Sequence, residues 1–350
     1  MRHGDDSRLR DTSGAARDAA AGSAAARADE GRRRGAAARV AGGLAATGGL
    51  AAAYMVFEAQ WVRCRQADLP VPGLPEAWSG LTILHLADVH AGAFPTNERS
   101  LRKVVRWAEP LAPDLVFLTG DILGDPGRSG ACLDLLARIR PRLGMFAVTG
   151  NHEHGLSKTP LARPLDINEL WSAAGITLLS DSCVALPARG GAQVILCGAD
   201  YLTGGYGLLA GGPAAPTAAA AADDPPPPDG RAGAAFPILL VHDPPPADSE
   251  LASFFPLAFA GHTHGGQLRV PAPSGLTPLN REGEKFLGGV HRWGAGLLVV
   301  TRGVGTSFLP FRLFTRPEAT LWRLVYTSPE HSEQRMQAPG EEDAHGRIPG

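Results

Sequence analysis

An excess of charge of either sign is missing from this 350-residue chain: 33 Lys and Arg face 35 Asp and Glu, for a net charge of −2. No global basic field is available to gather nucleic acid, and no basic stripe marks a nuclease. Cysteine is scarce as well. The four present (Cys64, Cys132, Cys183 and Cys197) show no C-x-x-C spacing, which excludes a zinc knuckle and a dense disulfide framework. Cys183 and Cys197 lie in apolar runs, where buried thiols are expected rather than a bridge. Bulky apolar side chains are nearly absent from residues 1–39, which are mostly Ala, Gly, Arg and Asp. Such a segment buries too little to offset its ordering entropy, so a disordered leader is expected there.

Long charge-free runs are also few, and one stands out. Val40 to Phe57, "VAGGLAATGGLAAAYMVF", holds 18 residues without a charge. As a helix it would span roughly 27 Å, just short of a bilayer core of about 30 Å. Arg32, Arg33, Arg34 and Arg39 precede it, and Arg63 and Arg65 follow. Positive-inside logic then leaves the N-terminus in the cytoplasm and sends the remainder across. A transmembrane anchor or an export signal is expected over 40–57, with a soluble leader as the alternative. The catalytic part is expected to be membrane-anchored or exported, on the extracytoplasmic side.

A folded domain is expected over 69–327. "TILHLAD" (Thr82 to Asp88), "DLVFLTGD" (Asp114 to Asp121) and "GMFAVTGNHEHG" (Gly144 to Gly155) read as buried strands running into polar residues. Between them, Leu101, Val104, Val105 and Ala108 form a helical stripe with Asn97 as its cap. Cys132, Leu135, Leu136 and Ile139 form a second stripe, and Ile167, Leu170, Trp171 and Ala174 a third. Strand alternating with helix predicts an α/β layout with a parallel start. Further strands are expected at 176–179, 183–186, 194–197, 237–241, 257–260, 297–301 and 319–326, enough for a second sheet. Residues 201–235, low in complexity, read as a surface insertion, and 328–350 as a disordered tail.

Five short motifs fall at strand ends: "ADVHAG" with Asp88 and His90, "GDILG" with Asp121, "GNHE" with Asn151 and His152, "VHDPP" with His242, and "GHTHGG" with His262 and His264. Each residue alone has a plainer use, as a turn cap, a left-handed Asn or a packed imidazole. Jointly they gather five of the 11 histidines, mostly beside glycines that let the backbone turn tightly. Mixed imidazole and carboxylate ligation suits divalent Mn, Fe or Zn. A closed zinc site takes four ligands, and the surplus here argues for two ions, the arrangement used for in-line displacement at phosphorus.

In this order, D-x-H, G-D-x-x-G, G-N-H-E, a lone His after a strand, and G-H-T-H resemble the calcineurin-like metallophosphoesterases over roughly Leu69 to Leu324. The resemblance implies a four-layer α-β-β-α sandwich of two mixed sheets with a dimetal site at the strand ends. It implies Asp88, His90 and His264 on one ion, Asn151, His242 and His262 on the other, and Asp121 bridging. His152 would serve as general acid or charge stabiliser at the leaving group, with Glu153 orienting it or acting only structurally. "VPGLPEAWSGLTILHLADVHAG" and "RGVGTSFLPFRL" followed by "RPEATLWRL" further resemble the bacterial membrane-associated or exported branch. That branch implies a phosphodiester of a cell-envelope or lipid-linked substrate, of the UDP-diacylglucosamine type. A phosphomonoesterase with the same site is the near alternative, and a non-catalytic scaffold the distant one. Arg302 is a candidate for binding a phosphate or lipid headgroup. His85 and His154 are expected not to be ligands. Trp293, Phe308 and Phe311 either border an apolar groove or pack in the core.

Overall fold

The computed structural model describes residues 8–124, 129–156, 167–204, 235–273, 275–279 and 286–327. The expected insertion (from 205 on) and tail thus lie largely or wholly outside the described residues. The chain divides into two compact units, Met1–Tyr54 and Met55–Gly350.

Helix α1 (Arg8–Glu58) makes up the first unit and ends within the second. Over 1–39, where a disordered leader is expected, the backbone is helical from Arg8 onward, and the helix has a local cause. Ala and Arg are among the strongest helix formers, and Arg33–Asp29 (3.0 Å) and Arg34–Glu30 (2.7 Å) pair one turn apart. Within α1, Asp29–Glu58 is long and apolar enough to cross a membrane by length and composition, and none of its apolar window is buried.

The second unit is built on two six-stranded mixed sheets. The first contains β1 (Arg63–Pro72), β2 (Thr82–Leu86), β3 (Leu115–Thr119), β4 (Gly144–Val148), β5 (Ile176–Leu178) and β14 (Glu318–Thr327), in the order β1-β14-β2-β3-β4-β5. Strands β2 to β5 run parallel, and β14 inserts antiparallel to β2. The second sheet has the order β12-β13-β9-β8-β7-β6. It contains β6 (Ser182–Ala185), β7 (Val194–Gly198), β8 (Phe236–Leu240), β9 (Leu257–Ala260), β12 (Gly289–Trp293) and β13 (Gly296–Val300). A separate hairpin joins β10 (Arg269–Ala272) to β11 (Gly275–Pro278).

Apolar residues on both faces of the strands produce three cores. Ile83, Phe117, Phe146, Leu196, Leu240 and Phe259 interlock between the sheets. Outside the first sheet, Leu84 and Val116 pack against α2 (Pro95–Ala108), α3 (Ser129–Leu136) and α4 (Ile167–Ala173) through Val104, Leu136 and Trp171. Outside the second, Ile195 and Leu239 meet Leu251 of the short α5 (Leu251–Phe254) and Trp293. This is the α-β-β-α sandwich, thin on its second outer layer among the described residues.

Three details depart from expectation. Pro95, with its fixed φ, starts α2 after Phe94, so Asn97 is not the cap. Its buried amide instead donates to the His90 and Thr306 carbonyls and accepts from Thr306. Cys183 and Cys197 are disulfide-bonded, not free thiols. They face each other as direct partners across β6 and β7, with Cα atoms 4.1 Å apart. Finally, the unit begins before Leu69: β1 pairs along its whole length with β14, and Ala59 is buried.

Candidate metal centre

The motif residues converge at the carboxyl ends of β2, β3, β4, β8 and β9, where open α/β sheets place their ligands. Asp88 and His90 follow β2, Asp121 follows β3, and Asn151 and His152 follow β4. His242 follows β8, and His262 and His264 follow β9. Five of them adopt positive φ: Asp88 (51°), His90 (47°), Asp121 (54°), His262 (70°) and His264 (50°). Such conformations cost about 1–3 kcal/mol each and persist where the surroundings over-determine them. Two glycines make the approach possible. A Cβ on Gly120 (φ 83°) would occupy the space of the His242 ring, and one on Gly150 would meet the Asp121 carboxylate.

Distances sort the side chains into sets. Asp88, His90 and His264 form one cluster, and Asp121, His242 and His262 another. His90, Asp121 and His152 form a third group that links the two. His90 Nε2 lies 3.0 Å from His264 Nε2, and His262 Nδ1 lies 3.0 Å from His242 Nε2. Two imidazoles sharing one ion at about 2.1 Å come this close. Asp121 Oδ2 stands between the sets, 3.7 Å from His90 Nε2 and 3.5 Å from His242 Nε2. His264 Nε2 is 3.6 Å from Asp88 Oδ1. Asn151 Oδ1 is shielded from solvent and has no hydrogen-bond partner among the described residues. An unpaired buried acceptor of this kind suits a cation.

Electrostatics agree with the geometry. Burial pushes Asp88 up to about 7, with His242 opposing and the Asp121 charge adding. Burial also drives His90 down to about 3 and His264 well below its ordinary value, and lowers His152. Burial works against charge on His242 too, yet the Asp121 carboxylate beside it outweighs this and lifts it to about 10. The protein alone therefore holds buried carboxylates and crowded imidazoles that divalent cations would relieve. His242 is oriented from behind, since Nδ1 donates to the Thr119 carbonyl at 2.8 Å and leaves Nε2 facing Asp121. Asp88 receives the His262 backbone N–H at 3.0 Å.

Residues that the sequence pattern left ambiguous now have places. Glu153 is buried and accepts the backbone N–H groups of Asp121, Ile122, Leu123 and Gly150. It thus shapes the loop of Asp121, and among the described residues its hydrogen bonds go to backbone N–H groups, not to the His152 ring. His85 sits inside β2, bonded to Thr119 and edge-on to Phe259. His154 bonds Thr149 near Asp200. Asp114 accepts from Thr82 and Arg142 at the start of β3. Arg302 is not among the residues that line the cleft, and its side chain runs along Gly265 and Gly288. Trp293 is core, whereas Phe308 lines the cleft.

Two contributors carried no sequence signal. Tyr201 borders the cleft, its ring 5.8 Å from that of His242. Arg312 is fully buried, where arginine is rarely found. Its guanidinium donates to the carbonyls of His264, Arg302, Gly305 and Thr315 and approaches His264 Nδ1 at 3.4 Å. Arg312→Met would strip these charge-assisted bonds, each worth about 1.5–3 kcal/mol. The expected result is a drop of at least about 3 kcal/mol in urea unfolding and loss of one ion from metal analysis, with Arg312→Lys recovering only part. Unchanged unfolding would contradict the role.

Comparisons with known proteins follow the same lines. The family model for calcineurin-like phosphoesterases matches residues 81–266. The chain is 27% identical over 293 residues to the uncharacterized metallophosphoesterase YkuE of Bacillus subtilis strain 168, covering 82% of this chain and 94% of that one. It is 32% identical over 251 residues to phosphodiesterase YaeI of Escherichia coli K12, covering 69% and 82%. It is also 29% identical to a transmembrane protein with metallophosphoesterase domain from Danio rerio, over 77% of this chain and 59% of that longer one.

Proposed function

Because this chain belongs to the calcineurin-like phosphoesterase family and is a metal-dependent phosphoesterase, we propose that it hydrolyses a phosphodiester of a cell-envelope or lipid-linked substrate outside the cytoplasm. The carrying observation is the pair of imidazole clusters that share the Asp121 carboxylate. Asp88, His90 and His264 would hold one divalent ion and Asn151, His242 and His262 the other, with Asp121 between. When bound, the ions supply Lewis-acid polarisation of the phosphoryl oxygens and a nucleophile from water at neutral pH.

The chain's own residues do the rest. Asp121 Oδ1 accepts the His152 backbone N–H at 2.9 Å, which fixes the turn that presents the imidazole. His152 Nε2 then stands 4.0 Å from Asp121 Oδ2 on the wall of the cleft. From there it would donate a proton to the departing alkoxide or stabilise its charge. The cleft, about 430 Å³, has polar groups on the metal side and Leu279, Phe308 and Leu309 on the other, which suits an ester with an apolar part. Diester preference draws on the likeness to YaeI, a phosphodiesterase by name. Extracytoplasmic placement draws on the apolar segment of α1 and on the Cys183–Cys197 disulfide, since such bonds persist in oxidising compartments.

Paired assays test this reading. The detergent-purified, manganese-loaded chain is expected to cleave bis-p-nitrophenyl phosphate faster than p-nitrophenyl phosphate, and a lipid-linked nucleotide diester faster than its soluble analogue. A reversed diester-to-monoester ratio would replace the proposal with a phosphomonoesterase.

A further inference from the structure

Large apolar side chains crowd the mouth of the cleft yet remain in water. Leu156, Leu279, Phe308 and Leu309 line it with exposures of 57%, 62%, 57% and 47%, and Phe314 is 45% exposed further along the same strap. Phe308 and Phe314 also hold φ at 60° and 54°, a region that bulky residues rarely enter. The fold thus keeps two strained aromatic residues facing outward where glycine or asparagine would relieve both strain and exposure.

The strap, residues 307–316, is tied to the end of α1. Arg312 donates its backbone N–H to the Met55 carbonyl at 3.1 Å. Phe314 and Thr315 donate theirs to the buried Glu58 carboxylate at 3.0 and 2.7 Å. All of these residues belong to the second unit. Met55 to Phe57 are also the last residues of the apolar run, so the strap lies within one hydrogen bond of the point where a span would end. The chemistry around that point is interfacial. Trp61, 45% exposed, stacks with the Arg316 guanidinium at 3.7 Å and has its ring 5.5 Å from that of Phe57. Lys103 Nζ donates to the Gln60 carbonyl at 2.7 Å. Aromatic rings with cations beside them settle at headgroup level, and the cations favour anionic lipid.

We propose that the strap carrying Phe308, Leu309 and Phe314 is a membrane-docking surface, which seats the mouth of the cleft on an anionic phospholipid leaflet. The proposal rests on the reading of α1 as an anchor. Its apolar residues enter the leaflet at the span's end, while Trp61, Arg316 and Lys103 stay among the headgroups.

Depth measurement on the full chain tests this. The chain is reconstituted in phosphatidylglycerol-containing nanodiscs in a Cys64→Ser, Cys132→Ala background. Nitroxides are placed at Phe308→Cys, Phe314→Cys and, as control, Arg138→Cys, whose side chain is exposed beside Glu109. Power saturation is expected to give an oxygen-to-nickel-chelate accessibility ratio several-fold higher at 308 and 314 than at 138. Ratios at 308 and 314 equal to that at 138, in a chain that co-purifies with the discs, would overturn docking and leave the anchor reading intact. A chain that fails to co-purify would overturn both. Spin–spin broadening at 308 would show a second copy on this face and also overturn the proposal. Should a labelled variant melt below its parent, Leu309→Cys supplies the same reading.

Discussion

Asp121→Asn is expected to abolish most turnover and most bound metal together. Among the described residues, Asp121 is the one carboxylate within 3.7 Å of an imidazole from each cluster, at 3.7 Å from His90 and 3.5 Å from His242. Aspartate at this point would supply a full negative charge to two cations that otherwise repel. Asparagine keeps the shape and removes the charge. Removing even one preorganised stabilising group costs about 10²–10³ in rate, so a bridging ligand is expected to cost on the order of 10³-fold or more in kcat/KM. Metal analysis should fall from two ions per chain to one or none. The fold should survive, because the backbone N–H of Asp121 is held by Glu153 and not by its own side chain. A variant that keeps two ions and near-normal kcat would contradict the shared-carboxylate arrangement.

His152→Ala is expected to separate metal binding from catalysis. The imidazole lines the cleft and belongs to the linking group with His90 and Asp121, but its Nε2 is farther from Asp121 Oδ2 than are those of His90 and His242. General acid catalysis contributes typically about 10²–10⁴-fold, and kcat should drop by that order while two ions remain. The loss should be largest for an alkyl leaving group, which needs a proton, and smallest for nitrophenolate, which does not. Equal losses for both leaving groups would point instead to a simple positioning effect, and loss of metal would make His152 a ligand.

Much of this centre was legible in sequence for a specific reason. A parallel α/β sheet ends its strands at one edge, so a polar motif after each apolar strand must meet the others there. Asp88, His90, Asp121, Asn151, His242, His262 and His264 all follow that rule. Other contributors escaped it because their partners are distant in sequence. Arg312 reads as an ordinary surface cation until the strap folds back and its guanidinium meets the carbonyls of His264, Arg302 and Gly305. Asn97 has the spacing of a helix cap, but Pro95 begins the helix and frees the amide to join His90 to Thr306. β1 escaped notice because its burial is patchy, and its pairing with β14 depends on residues some 255 positions away. The disulfide is of the same kind. Two cysteines in separate apolar runs are ambiguous until antiparallel register makes them direct neighbours.

Sequence by itself determined the fold class, the donor side chains and the edge at which they gather. Those follow from local apolar runs, turn residues and the donor chemistry of each side chain. Tertiary structure alone decided how closely the imidazoles approach around Asp121, that Arg312 is buried behind His264, and that the end of α1 is bound to the strap beside the cleft. These depend on distances between segments that approach only when the two sheets close on one another, and no local pattern encodes such a distance.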